Sequence, residues 1–315
     1  MTSELDFIAM LRGFAGEEAA RGLMDDAAVL EVGGEKLILT HDIIVEEVHF
    51  LSDDPPEDVG WKLAAVNLSD LAAMGARPLA ALAGHMLAAE ARWNAAFAKG
   101  LCEALAAFSM PLIGGDTVAG PPGAPRCFGL TAIGIAEGPI PSRAGGRDGD
   151  LLFLTGHIGD AGIGLEIARG TRDGPAALLG RYRRPEPRIE AGIALAPLVH
   201  AMIDLSDGLL IDAARLAEAS GLGARIALEA LPLSDPLIAA RGDSRDARLS
   251  TAAAGDDYEL LFAAPPEARP EIEKAGRATG ISISVIGSLG EGEGISLSHR
   301  GESLPLPGRL GFLHR

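Results

Sequence analysis

Apolar residues recur at helical spacing over 57–74, where Leu63, Val66, Leu71 and Met74 fall toward one side, and this predicts a helix. The same period predicts a longer helix over 91–108, ended ahead of Pro111. Shorter apolar runs at 37–40, 79–87 and 128–136 have the length of strands. Beyond residue 150 strands are expected at 151–155, 201–204, 258–262 and 281–286, with helices at 160–168, 188–198, 209–219 and 266–279. Between these halves, 138–149 is polar and rich in glycine and proline, which marks a boundary between a domain 1–138 and a domain 139–315. Strands and helices mix in both, so the predicted class is a two-domain α/β (or α+β) protein.

Length agrees with that division: 315 residues, 48% apolar, are enough for two cores. Charge narrows the partners. Lys+Arg is 27 against 44 Asp+Glu, a net −17. Such a surface opposes nucleic acid, which is bound by displacing counterions with basic groups, and opposes anionic membranes too. The longest uncharged apolar run, about 191–203, is broken by Pro197 and His200 and falls short of the roughly 20 residues a membrane span needs. Met1-Thr2-Ser3-Glu4-Leu5-Asp6 has neither the basic start nor the apolar centre of a secretory signal. Cys102 and Cys127 form no CxxC pair, so a cytoplasmic location is expected. None of the lysines Lys36, Lys62, Lys99 and Lys274 precedes Ser or Thr, which excludes a Walker-type phosphate loop. HExxH and GxSxG are absent, and Gly162-Ile163-Gly164 lacks the third glycine of a dinucleotide fingerprint.

The chemistry-bearing residues are aspartates at strand ends and in tight turns beside apolar segments. They are Asp25-Asp26, Asp42 after Thr40-His41, Asp70, Asp116 after Gly114-Gly115, Asp204 and Asp207 flanking Leu205-Ser206, and Asp256-Asp257. Each alone has a plain structural reading, as a solvated turn, a helix cap or a hairpin. Asp70 is different, because it interrupts an apolar helix face where an unpaired carboxylate is costly. Brought together, such groups repel and hold their protons more tightly, a cost that a hard divalent cation removes. Mg²⁺ favours oxygen ligands and is shared with substrate phosphates, so a chain at −17 can still bind ATP. Residues 114–120 are expected to be a flexible glycine loop whose amides approach a phosphate. Pattern alone reaches a Mg²⁺-dependent enzyme acting on phosphates.

In this order the segments resemble the thiamine-monophosphate kinase family, nearly end to end from Asp25. That family shares an ATP-binding superfamily with aminoimidazole ribonucleotide synthetase and selenophosphate synthetase. Asp70-Leu71-Ala72-Ala73-Met74-Gly75 and Gly114-Gly115-Asp116-Thr117 are superfamily-wide motifs. Val45-Glu46-Glu47-Val48-His49-Phe50, Ile203-Asp204-Leu205-Ser206-Asp207-Gly208 and Gly255-Asp256-Asp257-Tyr258-Glu259-Leu260 point to the kinase.

The resemblance implies two α/β domains and a homodimer made by joining N-terminal sheets. It implies that 1–138 binds ATP and Mg²⁺ and that 139–315 completes the site. The reaction implied is direct in-line transfer from ATP to thiamine phosphate, giving ADP and thiamine diphosphate. Several Mg²⁺ ions would be held by Asp26, Thr40, Asp42, Asp70, Asp116, Asp204 and Asp207. Gly115, Asp116, Arg143 and Ser206 would contact ATP, with Asp116, Arg143 and Asp207 closest to the chemistry. His49 and Asp256 would contact thiamine phosphate, Asp256 or Asp257 facing its cationic thiazolium, with Phe312 against its rings.

Four positions depart from the family pattern. His41 stands where relatives carry Thr or Ser, Asp256 where they often carry Glu, and Met24 where Gly is common. The C-terminus lacks the usual full aromatic ending. Within the superfamily, selenophosphate synthetase would want a Cys and a Lys near the N-terminus, whereas the first here are Cys102 and Lys36. The hydrogenase-maturation relative would end in Cys, and this chain ends Leu313-His314-Arg315. Aminoimidazole ribonucleotide synthetase, or a non-catalytic nucleotide-binding module on the same fold, are the remaining alternatives.

Overall fold

The computed structural model describes residues 4–313. In chain order the first half comprises α1 (Glu4–Arg12), β1 (Ala28–Val32), β2 (Glu35–Val45), α2 (Pro56–Ala73), β3 (Arg77–Leu87), α3 (Ala91–Ala107), β4 (Leu112–Ala119) and β5 (Cys127–Ala136). The second comprises β6 (Leu151–Thr155), α4 (Asp160–Ala168), α5 (Ala176–Arg183), α6 (Ile189–Leu195), β7 (Ala201–Asp204), α7 (Leu209–Ala219) and β8 (Gly223–Ala227). It continues through α8 (Asp235–Arg241), α9 (Arg245–Ala252), β9 (Leu260–Ala264), α10 (Arg269–Thr279), β10 (Ile283–Gly290), β11 (Ile295–His299) and β12 (Glu302–Leu304).

Each half has its own mixed sheet. The first has the order β1-β2-β5-β3-β4, antiparallel except where β4 joins β3 in parallel. The second has the order β12-β11-β8-β10-β6-β9-β7, with β11 and β8 parallel. Among the described residues no helix is long and apolar enough to cross a membrane.

Helix α2 is the hub. It starts at a proline, which lacks the N–H a first turn would leave unpaired, and has Glu57 and Asp58 at its positive end. Its residues are buried nearly all round, from Val59 to Ala73, because both halves cover it. One core joins Leu63, Leu71, Phe97 and Phe128 of the first half to Phe153, Leu260 and Phe262 of the second. A second core fills the far side of the larger sheet around Leu154, Ile203, Leu216 and Ile226. The opposite face of the first sheet is open. His41, Thr131 and Leu82 lie in one cross-strand row there, and Ile43 lies 50% exposed in the next but one.

Most expected elements are present, with three corrections. Residues 114–120 are not a flexible loop, since Gly114 to Ala119 lie in β4, in register with β3. The strand expected from 258 begins at Leu260, because Asp256 and Tyr258 have positive φ (69° and 51°) and the chain turns there. The helix expected over 188–198 is confined to α6.

Helices α2 and α3 pack backbone to backbone. A Cβ on Gly100 would lie 1.8 Å from the Glu57 carbonyl oxygen, and one on Gly60 2.2 Å from that of Phe97. Gly100→Ala is therefore expected to destabilise the chain by about 1–3 kcal/mol through overpacking, against its favourable helix propensity. Urea unfolding checks this, and an unchanged or higher midpoint would show that the helices separate freely.

Candidate active site

Strand alternation sorts β2 residues between two faces. Thr40 is buried and Asp42 half-buried on the α2 side, whereas His41 is exposed on the open face beside Thr131, 2.9 Å from its hydroxyl. Asp70 comes from the last turn of α2, Asp204 from the end of β7, and Asp26 from the turn before β1. These three, far apart in sequence, each place a carboxylate oxygen within 4.8 Å of the others. Ser69 donates to Asp204 Oδ2 at 2.6 Å, and the Thr40 hydroxyl donates to Asp70. Asn67 holds β2 against α2 by accepting the Asp42 amide at 2.9 Å.

Burial pushes all three carboxyls above the ordinary range. Asp42, Asp204 and Asp26 raise Asp70 further by repulsion, and Asp26 does the same to Asp204. The Arg143 guanidinium donates to Asp26 and opposes its rise. Burial alone would lower the Arg143 pKa, but Asp26, Asp204 and Asp212 outweigh it and raise the value. Arg143 is thus a largely buried charge paired with Asp26. Its backbone N–H also donates to Asp25 at 2.8 Å, with the Ser142 hydroxyl on the same carboxylate at 2.9 Å. Asp26 Oδ2 and Arg143 Nε are buried without a partner. An orphaned carboxylate oxygen within a self-repelling oxygen set fits a hard divalent cation, and the orphaned Nε–H beside it fits an anion.

Asp207 and Ser206 lie half-buried in the turn after Asp204. Asp207 is not in the triad; its Oδ2 pairs with Arg215 at 2.5 Å. Behind it, buried Asp212 accepts the Asp207 and Gly208 amides at 3.1 Å each. Its carboxyl is pushed up to about 7 by burial, with Arg215 opposing and Asp207 adding to the rise. Asp212 and Arg215 were missed in the sequence because an acid and a base three residues apart on a helix look like an ordinary surface pair.

A cleft of about 770 Å³ runs between the halves, lined by Asp42, Ser206 and Asp207 and by His49, Asp256 and Phe312. His49 Nδ1 accepts the Val45 amide at 3.0 Å. Phe312 donates its amide to the Asp207 carbonyl at 2.9 Å, which brings the C-terminal segment to the cleft. Of the acids in 255–260 only Asp256 lines it. Asp257 is buried, accepting the Gly159 amide at 2.8 Å, so it is not the carboxylate facing a substrate. Glu259 is fully buried under Thr155, Arg181 and Arg188.

Gly115 and Asp116 stand apart from this cleft and from the clustered carboxylates. A Cβ on Gly115 would sit 1.9 Å from the Ala83 carbonyl oxygen, so this glycine is explained by close strand approach. Asp116 is exposed, and its cross-strand row runs through Gly84 and Gly129 to Ile43 on the open face.

Because each triad carboxyl binds its proton more tightly folded than unfolded, ionisation costs stability at neutral pH. That stability returns as pH falls through the raised values toward about 4, the unfolded carboxylate value. In EDTA at a pH of about 8, Asp70→Asn is expected to melt above the wild type, with the gap closing toward a pH of about 5. Mg²⁺ is expected to raise Tm for the wild type and much less for the variant. A variant less stable than the wild type in EDTA at the higher pH would contradict the repulsion.

Residues 24–136 match the N-terminal domain, and 147–300 the C-terminal domain, of AIR synthase related proteins. A thiamine-monophosphate kinase of Caulobacter vibrioides is 39% identical over 326 residues, covering 99% of this chain and 91% of the relative. The thiamine-monophosphate kinase of Escherichia coli is 36% identical over 293 residues, covering 90% and 89%. The solved structure of AaThiL complexed with AMPPCP and TMP has a TM-score of 0.85 at 30% identity, covering 98% of this chain and 96% of that one. With two domains in the same order and this identity along almost its full length, the chain belongs to the thiamine-monophosphate kinase family of AIR synthase-related proteins.

Proposed function

We propose that the cleft transfers the terminal phosphoryl group of ATP directly to thiamine phosphate, releasing ADP and thiamine diphosphate. The observation that carries this is the convergence of Asp26, Asp70 and Asp204 beside a cleft lined further along by His49, Asp256 and Phe312. The AaThiL complex, with AMPPCP and TMP bound together, supports the same pair of substrates. Asp26, Asp70 and Asp204, with Thr40 and Asp42, would hold Mg²⁺, which when bound neutralises charge on the phosphate oxygens. Arg143, whose Nε–H is buried without a partner beside Asp26, would meet the nucleotide phosphates, and Ser206 and Asp207 would border the transferred group. His49 and Asp256 orient thiamine phosphate, whose cationic ring suits a carboxylate, and Phe312 covers the rings. The attacking atom is an anionic phosphate oxygen, so positioning and charge do the work and no strong general base is required. A division at 138/139 is supported by its falling between the two sheets, one ending at Ala136 and the other starting at Leu151.

Asp116 acts, in this reading, from a second copy of the chain. In its own chain β4 is three strand spacings from β2, roughly 14 Å, and Asp116 is on the opposite face from Asp42. All of β4 is exposed, Ile113 at 62% and Val118 at 53%, next to Ile43 and Leu82 on the open face. An apolar sheet face beside a bare edge strand favours a homodimer that joins the sheets and carries Asp116 to the partner's cleft.

Purified protein with Mg²⁺, ATP and thiamine phosphate is expected to form thiamine diphosphate; tight ATP binding without product would favour a non-catalytic module. Asp207→Asn and Asp116→Asn are expected to lose turnover while melting as cooperatively as the wild type. Mixing Asp42→Asn with Asp116→Asn subunits is expected to restore about a quarter of wild-type activity, because half the dimers are mixed and each has one intact site. No recovery on mixing would place Asp116 with its own chain or outside the site.

A further inference from the structure

We propose that Lys62 is a positioning residue that sets the distance between the two groups orienting thiamine phosphate, and so governs affinity for that substrate but not for ATP. This rests on the reading of the cleft just given. Lys62 is on α2 and is 2% exposed. Its ammonium donates to the His49 carbonyl at 2.9 Å and to Asp256 Oδ2 at 2.9 Å, and sits 4.3 Å from the centre of the Tyr182 ring.

An ammonium has three N–H donors and no acceptor. Two hydrogen bonds and one aromatic face use all three directions, so Lys62 has none left for a substrate and acts through its neighbours. Those neighbours come from different halves: His49 follows β2, and Asp256 precedes β9. Lys62 itself belongs to the helix both halves cover. One buried charge thereby fixes the backbone on one wall of the cleft and the carboxylate on the other.

The Asp256 side needs such a hold. Its backbone is in the left-handed region at φ 69°, uncommon for a residue with a Cβ, and Tyr258 two residues on is there too. The Asp256 amide donates to the Ser206 carbonyl at 2.8 Å, and the Tyr258 hydroxyl reaches Asp256 Oδ1 at 3.2 Å. With Oδ2 held by Lys62, Oδ1 and the Tyr258 hydroxyl make up the polar end of the cleft wall. A side chain one methylene shorter than glutamate depends on this anchoring for its direction. Lys62 itself bonds to none of the triad carboxylates, and the segment it holds meets the nucleotide end through backbone contacts, Asp256 to Ser206 and Tyr258 to Leu205, rather than through a side chain of the triad.

Steady-state kinetics test the split. Lys62→Met is expected to raise KM for thiamine phosphate about tenfold or more, leaving KM for ATP within about twofold. In a cycle with Asp256→Asn, the double variant is expected to be about as impaired as the worse single variant, because both break one contact. If Lys62→Met fails to melt cooperatively, Lys62→Gln, which keeps a donor in less volume, is measured in its place and shows the same split. Equal rises in both KM values, or full additivity with Asp256→Asn, would overturn the proposal. A wild type that forms no thiamine diphosphate would instead overturn the function of the cleft.

Discussion

Mutual repulsion among three buried carboxylates is the constraint on which the rest of this structure depends. Asp26, Asp70 and Asp204 are brought together from a turn, the end of a helix and the end of a strand, with the Arg143 ion pair holding Asp26 in place. The fold answers with local hydrogen bonds from Thr40 and Ser69 and with the Arg143 guanidinium, and Asp26 Oδ2 is still left without a partner. Three carboxyls that repel one another so closely are a standing cost to the fold, and a ligand of opposite charge would relieve it.

Helix α2 makes that arrangement possible because it is common to both halves. From its N-terminal to its C-terminal turns it presents Lys62 to His49 and Asp256, Asn67 to β2, Ser69 to Asp204 and Asp70 to the triad. The contacts from the second half reinforce it: Trp61 donates to the Pro185 carbonyl at 2.9 Å, and Tyr182 to Asp54 at 2.8 Å. At the other end α6 approaches so closely that a Cβ on Gly192 would lie 2.0 Å from the Ala72 carbonyl oxygen. The contacts that join the halves and those that position the clustered carboxylates therefore share one helix.

Much of this was legible in the chain, for reasons that can be named. Strands and helices with a clear apolar period, such as β6, α4, β7 and α7, appear where periodicity expects them. Asp70 stood out because a charge on an apolar helix face needs a partner. Lys62 occupied an equally apolar face but offered no motif, and its role emerges only where His49 and Asp256 arrive from elsewhere. Residues 114–120 misled because glycine permits both a phosphate-binding loop and a tightly paired strand; the close approach of Ala83 selects the strand.

The chain by itself determined which residue types were available and the period on which each element faces its core. Alternation is a local property, but the strand expected over 37–40 stops short of His41, and it is β2 running on to Val45 that puts Thr40 and Asp42 on one face and His41 on the other. Only the tertiary structure decided which acids meet. Asp204 joins the triad while Asp207, three residues on, turns to Arg215; Asp256 enters the cleft while Asp257 caps a loop; and Asp116 faces away from both. These outcomes depend on strand register and on the docking of two halves across one helix, long-range terms that no local spacing encodes.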